Sequence, residues 1–125
     1  MERMKNKYKE LISKRYVVDE KDIERQIVAL LNNGELCSED DILSLINNYG
    51  IDEYTSYGDN GRWNRPVSNI ISIDGCFYCI TWYEGLTEMQ DNFYPNQPVR
   101  VYPHKKIVHY ETTYFDENKE DEDEN

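Results

Sequence analysis

The chain has 125 residues, with 25 acidic against 14 basic side chains and a formal net charge of -11. That length holds one ordinary domain, its apolar runs stop at five residues, and no apolar stretch follows the charged N-terminus. These features exclude a transmembrane helix, a secretory signal and a large multi-domain enzyme.

Residues 2–14 read as a short basic helix, with Met4, Tyr8, Leu11 and Ile12 at helical spacing. Residues 20–32 read as a second helix. Ile23, Ile27, Leu30 and Leu31 form its apolar stripe, Asp19 its N-cap, and Asn33-Gly34 its stop. A third helix is predicted over about 39–49. Ser38 caps it, Asp41 stands at the capping-box position, and Gly50 ends it. Residues 52–62 then read as an exposed loop rich in turn formers. Val67–Ile73 and Cys76–Tyr83 are strand-like and flank Asp74-Gly75, the signature of a type I′ hairpin. A two-residue turn sets the register: Ile73 opposite Cys76, Ile71 opposite Tyr78, Asn69 opposite Ile80, Val67 opposite Trp82. Ile71, Ile73, Cys76, Tyr78, Ile80 and Trp82 therefore share the face expected to meet the helices. Residues 84–98 form a long connection in which Pro95 and Pro98 forbid regular pairing. Val99–Tyr102 is a short strand, and Lys106–Phe115 alternates as a further one. The plan is α+β: two or three N-terminal helices packed on a three- to four-stranded antiparallel sheet. It makes one domain over 1–115 (helices about 2–50, sheet about 62–115), followed by an acidic tail over 116–125.

Hydrophobic residues are only 38%, yet aromatic residues are 13% and include eleven Tyr. Disordered chains are poor in aromatics, and large aromatic side chains bury much area each, so the composition favours folding. The three Cys are an odd number without a secretory context, which predicts reduced thiols and a cytoplasmic location. Charge is segregated. Residues 1–15 carry net +4, 16–61 net -9, 62–115 net 0 and 116–125 net -6.

Cys76 and Cys79 match C-x-x-C, but on a strand they point to opposite faces and read as structural thiols. His104 and His109 stand without a spaced ligand set or nucleophile motif. No phosphate-cradling glycine loop is present. No catalytic residue, metal or cofactor is called for, and the chain is expected not to be an enzyme. Two constellations remain. Arg62, Trp63 and Arg65, with Arg100 joining from a neighbouring strand, suit a phosphate, nucleotide or carboxylate ligand; Arg62 and Arg65 equally suit ion pairs with Glu84, Glu88 or Asp91. Tyr83, Phe93 and Tyr94 beside Glu84, Glu88 and Asp91 have the make-up of a protein interface. Asp40 and Asp41 on a helix, and Glu120, Asp121, Glu122, Asp123 and Glu124 in the tail, extend the negative surface.

The segment R-W-N-R-P-V at 62–67, followed by D-G-C-F-Y-C-I-T-W-Y-E-G-L-T-E-M-Q and Q-P-V-R-V within 74–101, resembles a group of small phage- and plasmid-borne proteins of Gram-positive bacteria. The matching positions are Arg62, Trp63, Arg65, Trp82, Gly85, Leu86, Thr87, Glu88, Gln90, Gln97 and Pro98, and the resemblance covers about 60–102. It implies a mobile-element setting. In size, charge and lack of catalytic motifs the chain resembles anti-CRISPR proteins in type. The expected function is then a non-enzymatic inhibitor that lays carboxylates into the nucleic-acid groove of a basic defence nuclease such as Cas9, excluding DNA. Its partner is a protein, with no direct contact to nucleic acid or membrane. The alternatives are a sponge that sequesters a signalling nucleotide through Arg62, Trp63, Arg65 and Arg100, or a toxin-neutralising or regulatory partner protein.

Overall fold

Short polar residues set where the two better-formed helices begin. In the computed structural model, which describes residues 6–104, Asp19 accepts a bond from Lys21 N at 3.1 Å and opens α2 (Glu20–Asn32). Gly34, at φ +78, closes that helix. Gly34 N donates to Leu31 O and Glu35 N to Leu30 O, the paired bonds of a Schellman cap. Ser38 opens α3 (Glu39–Leu45) with a reciprocal capping box in which Asp41 replaces the usual Glu or Gln. The second oxygen of Asp41 accepts from Lys9 N at 2.9 Å and so ties α3 to α1 (Lys7–Ile12).

α1 is shorter than expected. Its apolar stripe runs out at Arg15, and tight bonds from Lys14 N to Leu11 O and from Arg15 N to Ile12 O unwind its end into turns. Met1–Lys5 lie outside the described residues. α3 also departs from the expected run to residue 49. After Leu45 it widens into a π-helical turn over Ile46–Gly50. Gly50 rests on the sheet there, and a Cβ at this position would lie 2.0 Å from Ile71 Cγ2.

The sheet has four antiparallel strands in sequence order: β1 (Tyr54–Tyr57), β2 (Asn64–Ile73), β3 (Cys76–Gly85) and β4 (Val99–Val101). β1 corrects the expectation of a loop over 52–62. The run Tyr-Thr-Ser-Tyr is aromatic and β-branched, and the open edge of β2 offers it a ladder. β2 starts three residues earlier than expected and β3 ends two later, because Leu86 N bonding to Trp63 O extends the pairing. Asp74 and Gly75 have φ of +50 and +75, as a type I′ turn requires. The β2–β3 register is the predicted one at all four pairs. β4 ends at Val101. The expected strand at 106–115, His109 and the acidic tail lie outside the described residues.

The helices cover one face of the sheet. Ile71, Ile73, Tyr78 and Ile80 from the predicted face join Tyr8, Ile23, Ile27, Ile42 and Leu45 in one core, with Cys76 and Trp82 packed at its margin. None of the described helices is long and apolar enough to cross a membrane.

Candidate functional site

β2 and β3 run past the helix layer toward Asn64 and Gly85, leaving the helix-side face of the sheet uncovered at that end. Between it and α3 with its π-helical turn lies a cleft of about 290 Å3. Buried Ile46 and Val67 form its apolar base, while Tyr57, Trp82 and Tyr94 supply aromatic walls. Trp82 and Tyr94 stack with centroids 5.1 Å apart.

Polar contacts lock these walls. The Trp82 indole N–H donates to Asn69 Oδ1 at 2.6 Å, and Asn69 Nδ2 donates to Thr55 Oγ1 at 2.9 Å, a relay across three strands. Asn69 is 3% exposed, so both ends of its amide need these partners. Tyr94 N donates to Glu39 Oε2 at 3.1 Å, tying the wall to α3. Gly85 N donates to Asn92 Oδ1 at 2.8 Å, and a Cβ on Gly85 would lie 2.0 Å from Gln90 O, so the 85–92 loop folds back tightly on itself. At the mouth, Arg65 Nε donates to Glu84 at 2.6 Å while its guanidinium sits 4.3 Å from the Tyr57 ring centroid.

Two carboxylates stand beside this cleft: Glu39 is bonded to Tyr94 N, and Glu84 lies two positions from Trp82 on the same face of β3. Glu39, Asp52 and Asp91 are exposed and, among the described residues, take part in no ion pair.

The residues expected to carry function are divided by this geometry. Asp41 is a correction. It is fully buried, with both oxygens used on Ser38 N and Lys9 N, and belongs to the frame rather than to the surface. Asp40 is exposed beside Lys9 at 3.7 Å. The three aromatics do not form one patch. Tyr94 lines the cleft, whereas Tyr83 and Phe93 exchange backbone bonds and stack at 5.0 Å on the opposite face of the sheet. Glu88 and Asp91 are exposed in the 85–92 loop. Glu84 is held by Arg65. Arg62 lies over Trp63 at 4.9 Å. Arg100 does not join Arg62 and Arg65. It stands opposite Tyr78, six positions along β3 from the partner of Arg65, or about 20 Å at strand rise, and packs on Tyr102 at 4.5 Å. Glu120–Glu124 lie outside the described residues.

Cys76 and Cys79 project to opposite faces, as strand geometry requires, and all three cysteines are free. Burial, reinforced by the nearby charge of Asp41, pushes the Cys37 thiol up to about 12. Tyr8, Tyr49 and Tyr78 are likewise held above the ordinary tyrosine value by burial. Such shifts keep the groups protonated at neutral pH, the opposite of nucleophile activation. Among the described residues no group of three or more His, Cys, Asp and Glu converges as a metal would need.

The one local sign of this cleft in the sequence is Asn69, an amide placed on the inward face opposite Ile80 by the hairpin register. No family model, no curated protein and no solved structure matches this chain.

Proposed function

We propose that this protein is a non-catalytic inhibitor of mobile-element type that binds the basic, nucleic-acid-binding groove of a bacterial defence nuclease, such as a Cas9-type enzyme, and blocks DNA binding or cleavage. The observation that carries the reading is the aromatic cleft with Glu39 tied to its Tyr94 wall and Glu84 two positions from Trp82 on the same face, in a chain whose Asp40, Asp52, Glu88 and Asp91 are exposed. Aromatic walls supply anchoring area, and exposed carboxylates supply steering toward a positive surface and repel nucleic acid. The overall charge of -11 acts in the same direction. A nucleotide sponge built on Arg62, Trp63, Arg65 and Arg100 draws less support, since Arg65 is engaged with Glu84 and Arg100 is far along the sheet.

The test is affinity capture of the tagged chain from phage-susceptible bacteria carrying active defence systems, with co-eluting proteins and extracted small molecules analysed from one sample. A stoichiometric basic nuclease, lost on combining Glu39→Gln, Asp40→Asn and Asp91→Asn but retained on combining Arg62→Ala and Arg65→Ala, supports the proposal. A bound nucleotide with no protein partner, lost with the arginines, overturns it.

A further inference from the structure

Resting on that reading, we infer that the cleft is a receptor for one guanidinium side chain, an arginine presented by the basic partner. Its volume of about 290 Å3 lies just below the roughly 300–1,000 Å3 of sites that enclose a whole small molecule. It has room for one long side chain. The walls are flat π faces, Trp82 stacked on Tyr94 and Tyr57 beside them. A guanidinium is planar and weakly hydrated, so it stacks on such faces at lower desolvation cost than an ammonium.

The molecule already makes this contact within itself. Arg65 lies on the Tyr57 ring while its Nε donates to Glu84, a guanidinium held between an aromatic face and a carboxylate at the cleft mouth. Asn47, which is exposed, and the half-buried Thr55 add oxygen acceptors to the lining. Glu39, on the Tyr94 wall, offsets an incoming positive charge, and Glu84 already offsets that of Arg65. The same carboxylates oppose a nucleotide phosphate, and a neutral aromatic side chain would draw nothing from them. Charge and shape together therefore select arginine over an anion or an apolar anchor.

The experiment is a titration of the full-length, 15N-labelled chain with three probes: N-acetyl-arginine amide, Nα-acetyl-lysine amide and AMP. The expected result is saturable shifts at the Trp82 indole N–H and the side-chain amides of Asn47 and Asn92 with the arginine probe. Affinity should be in the millimolar range and several-fold weaker for lysine, with no response to AMP. Asn47→Arg, at an exposed position, places a fixed like charge at the cleft. It should weaken the arginine probe by an order of magnitude with the remaining spectrum unchanged. Glu39→Gln keeps the acceptor for Tyr94 N–H and should weaken it several-fold. Equal response to lysine, saturation by AMP, or arginine shifts that ignore Asn47→Arg overturn the inference. Undiminished capture of a nuclease by the Asn47→Arg chain overturns the arginine anchor alone and leaves the acidic-inhibitor reading standing. Capture of a nucleotide without a protein overturns both.

Discussion

The side-chain amide of Gln97 is bonded to both backbone groups of Cys37, accepting from its N–H at 2.7 Å and donating to its carbonyl at 2.9 Å. Sixty residues separate the two in sequence, so this one side chain fastens the 86–98 connection to the loop between α2 and α3. Gln97→Ala leaves two part-buried backbone groups unpaired and should cost about 1–3 kcal/mol. Gln97→Glu keeps the acceptor but removes the donor, and should be at least as destabilising. Urea midpoints of the three chains check this, and an unchanged midpoint for Gln97→Ala would show that water replaces the amide.

Asp41 answers to a different expectation once its surroundings are known. Neutralising it tests a cap rather than a binding surface. Asp41→Asn removes one of two acceptors serving Ser38 N and Lys9 N and should lower stability by about 1–2 kcal/mol. Asp40→Asn, at the exposed neighbouring position, should change stability by less than about 0.5 kcal/mol. Thermal melting of the pair separates the roles.

Gly50 and Gly75 are constrained for different reasons. A methyl at residue 50 meets Ile71 Cγ2 within the core, and Gly50→Ala should cost about 1–3 kcal/mol through overpacking. A methyl at residue 75 has open space around it, but φ of +75 disfavours any L side chain. Gly75→Ala should therefore cost about 1 kcal/mol, and Gly75→Asn, which tolerates this conformation, should cost less. Denaturant unfolding of the three variants gives the order.

Alkaline pH should destabilise the fold through its core. Cys37 titrates at about 12 in the folded chain against 9.0 as an unperturbed thiol. The folded value is raised, so the stabilisation is complete below about pH 9 and is lost as pH climbs toward 12. Tyr8, whose hydroxyl donates to Glu35 O at 2.7 Å, is raised by burial and adds to the same trend from its own unfolded value upward. The melting temperature should fall between pH 9 and 11, and less steeply for Cys37→Ala, although that variant starts lower. At pH 8 iodoacetamide should modify Cys76 and Cys79 well before Cys37, which is 3% exposed.

What the sequence could reveal follows from range. Asp74-Gly75 sets a register of ten residue pairs because turn type and alternation are local properties. The caps at Asp19 and Ser38 and the stop at Gly34 act within one helical turn, and they too were legible. β1 is hard to read locally because its pairing partner begins seven residues beyond its own end, while turn formers on either side mask the strand propensity of a run of only four residues. The local pattern suits Asp41 both as a capping-box residue and as a surface acid. Only the approach of α1, bringing Lys9 N onto its free oxygen, decides between them.

The candidate site shows the same division. Sequence alone determined the fold class, the inward hairpin face, the segregation of charge and the Arg65–Glu84 pairing as one option among several. Which aromatics share a face was decided by tertiary structure, since Tyr83 and Tyr94 are separated by a sheet one strand thick and by a loop whose closure depends on Gly85 meeting Gln90. The cleft is likewise a product of assembly. It exists because the helix layer ends before β2 and β3 do, and the meeting of two layers of unequal length is a distance between elements that no local pattern encodes.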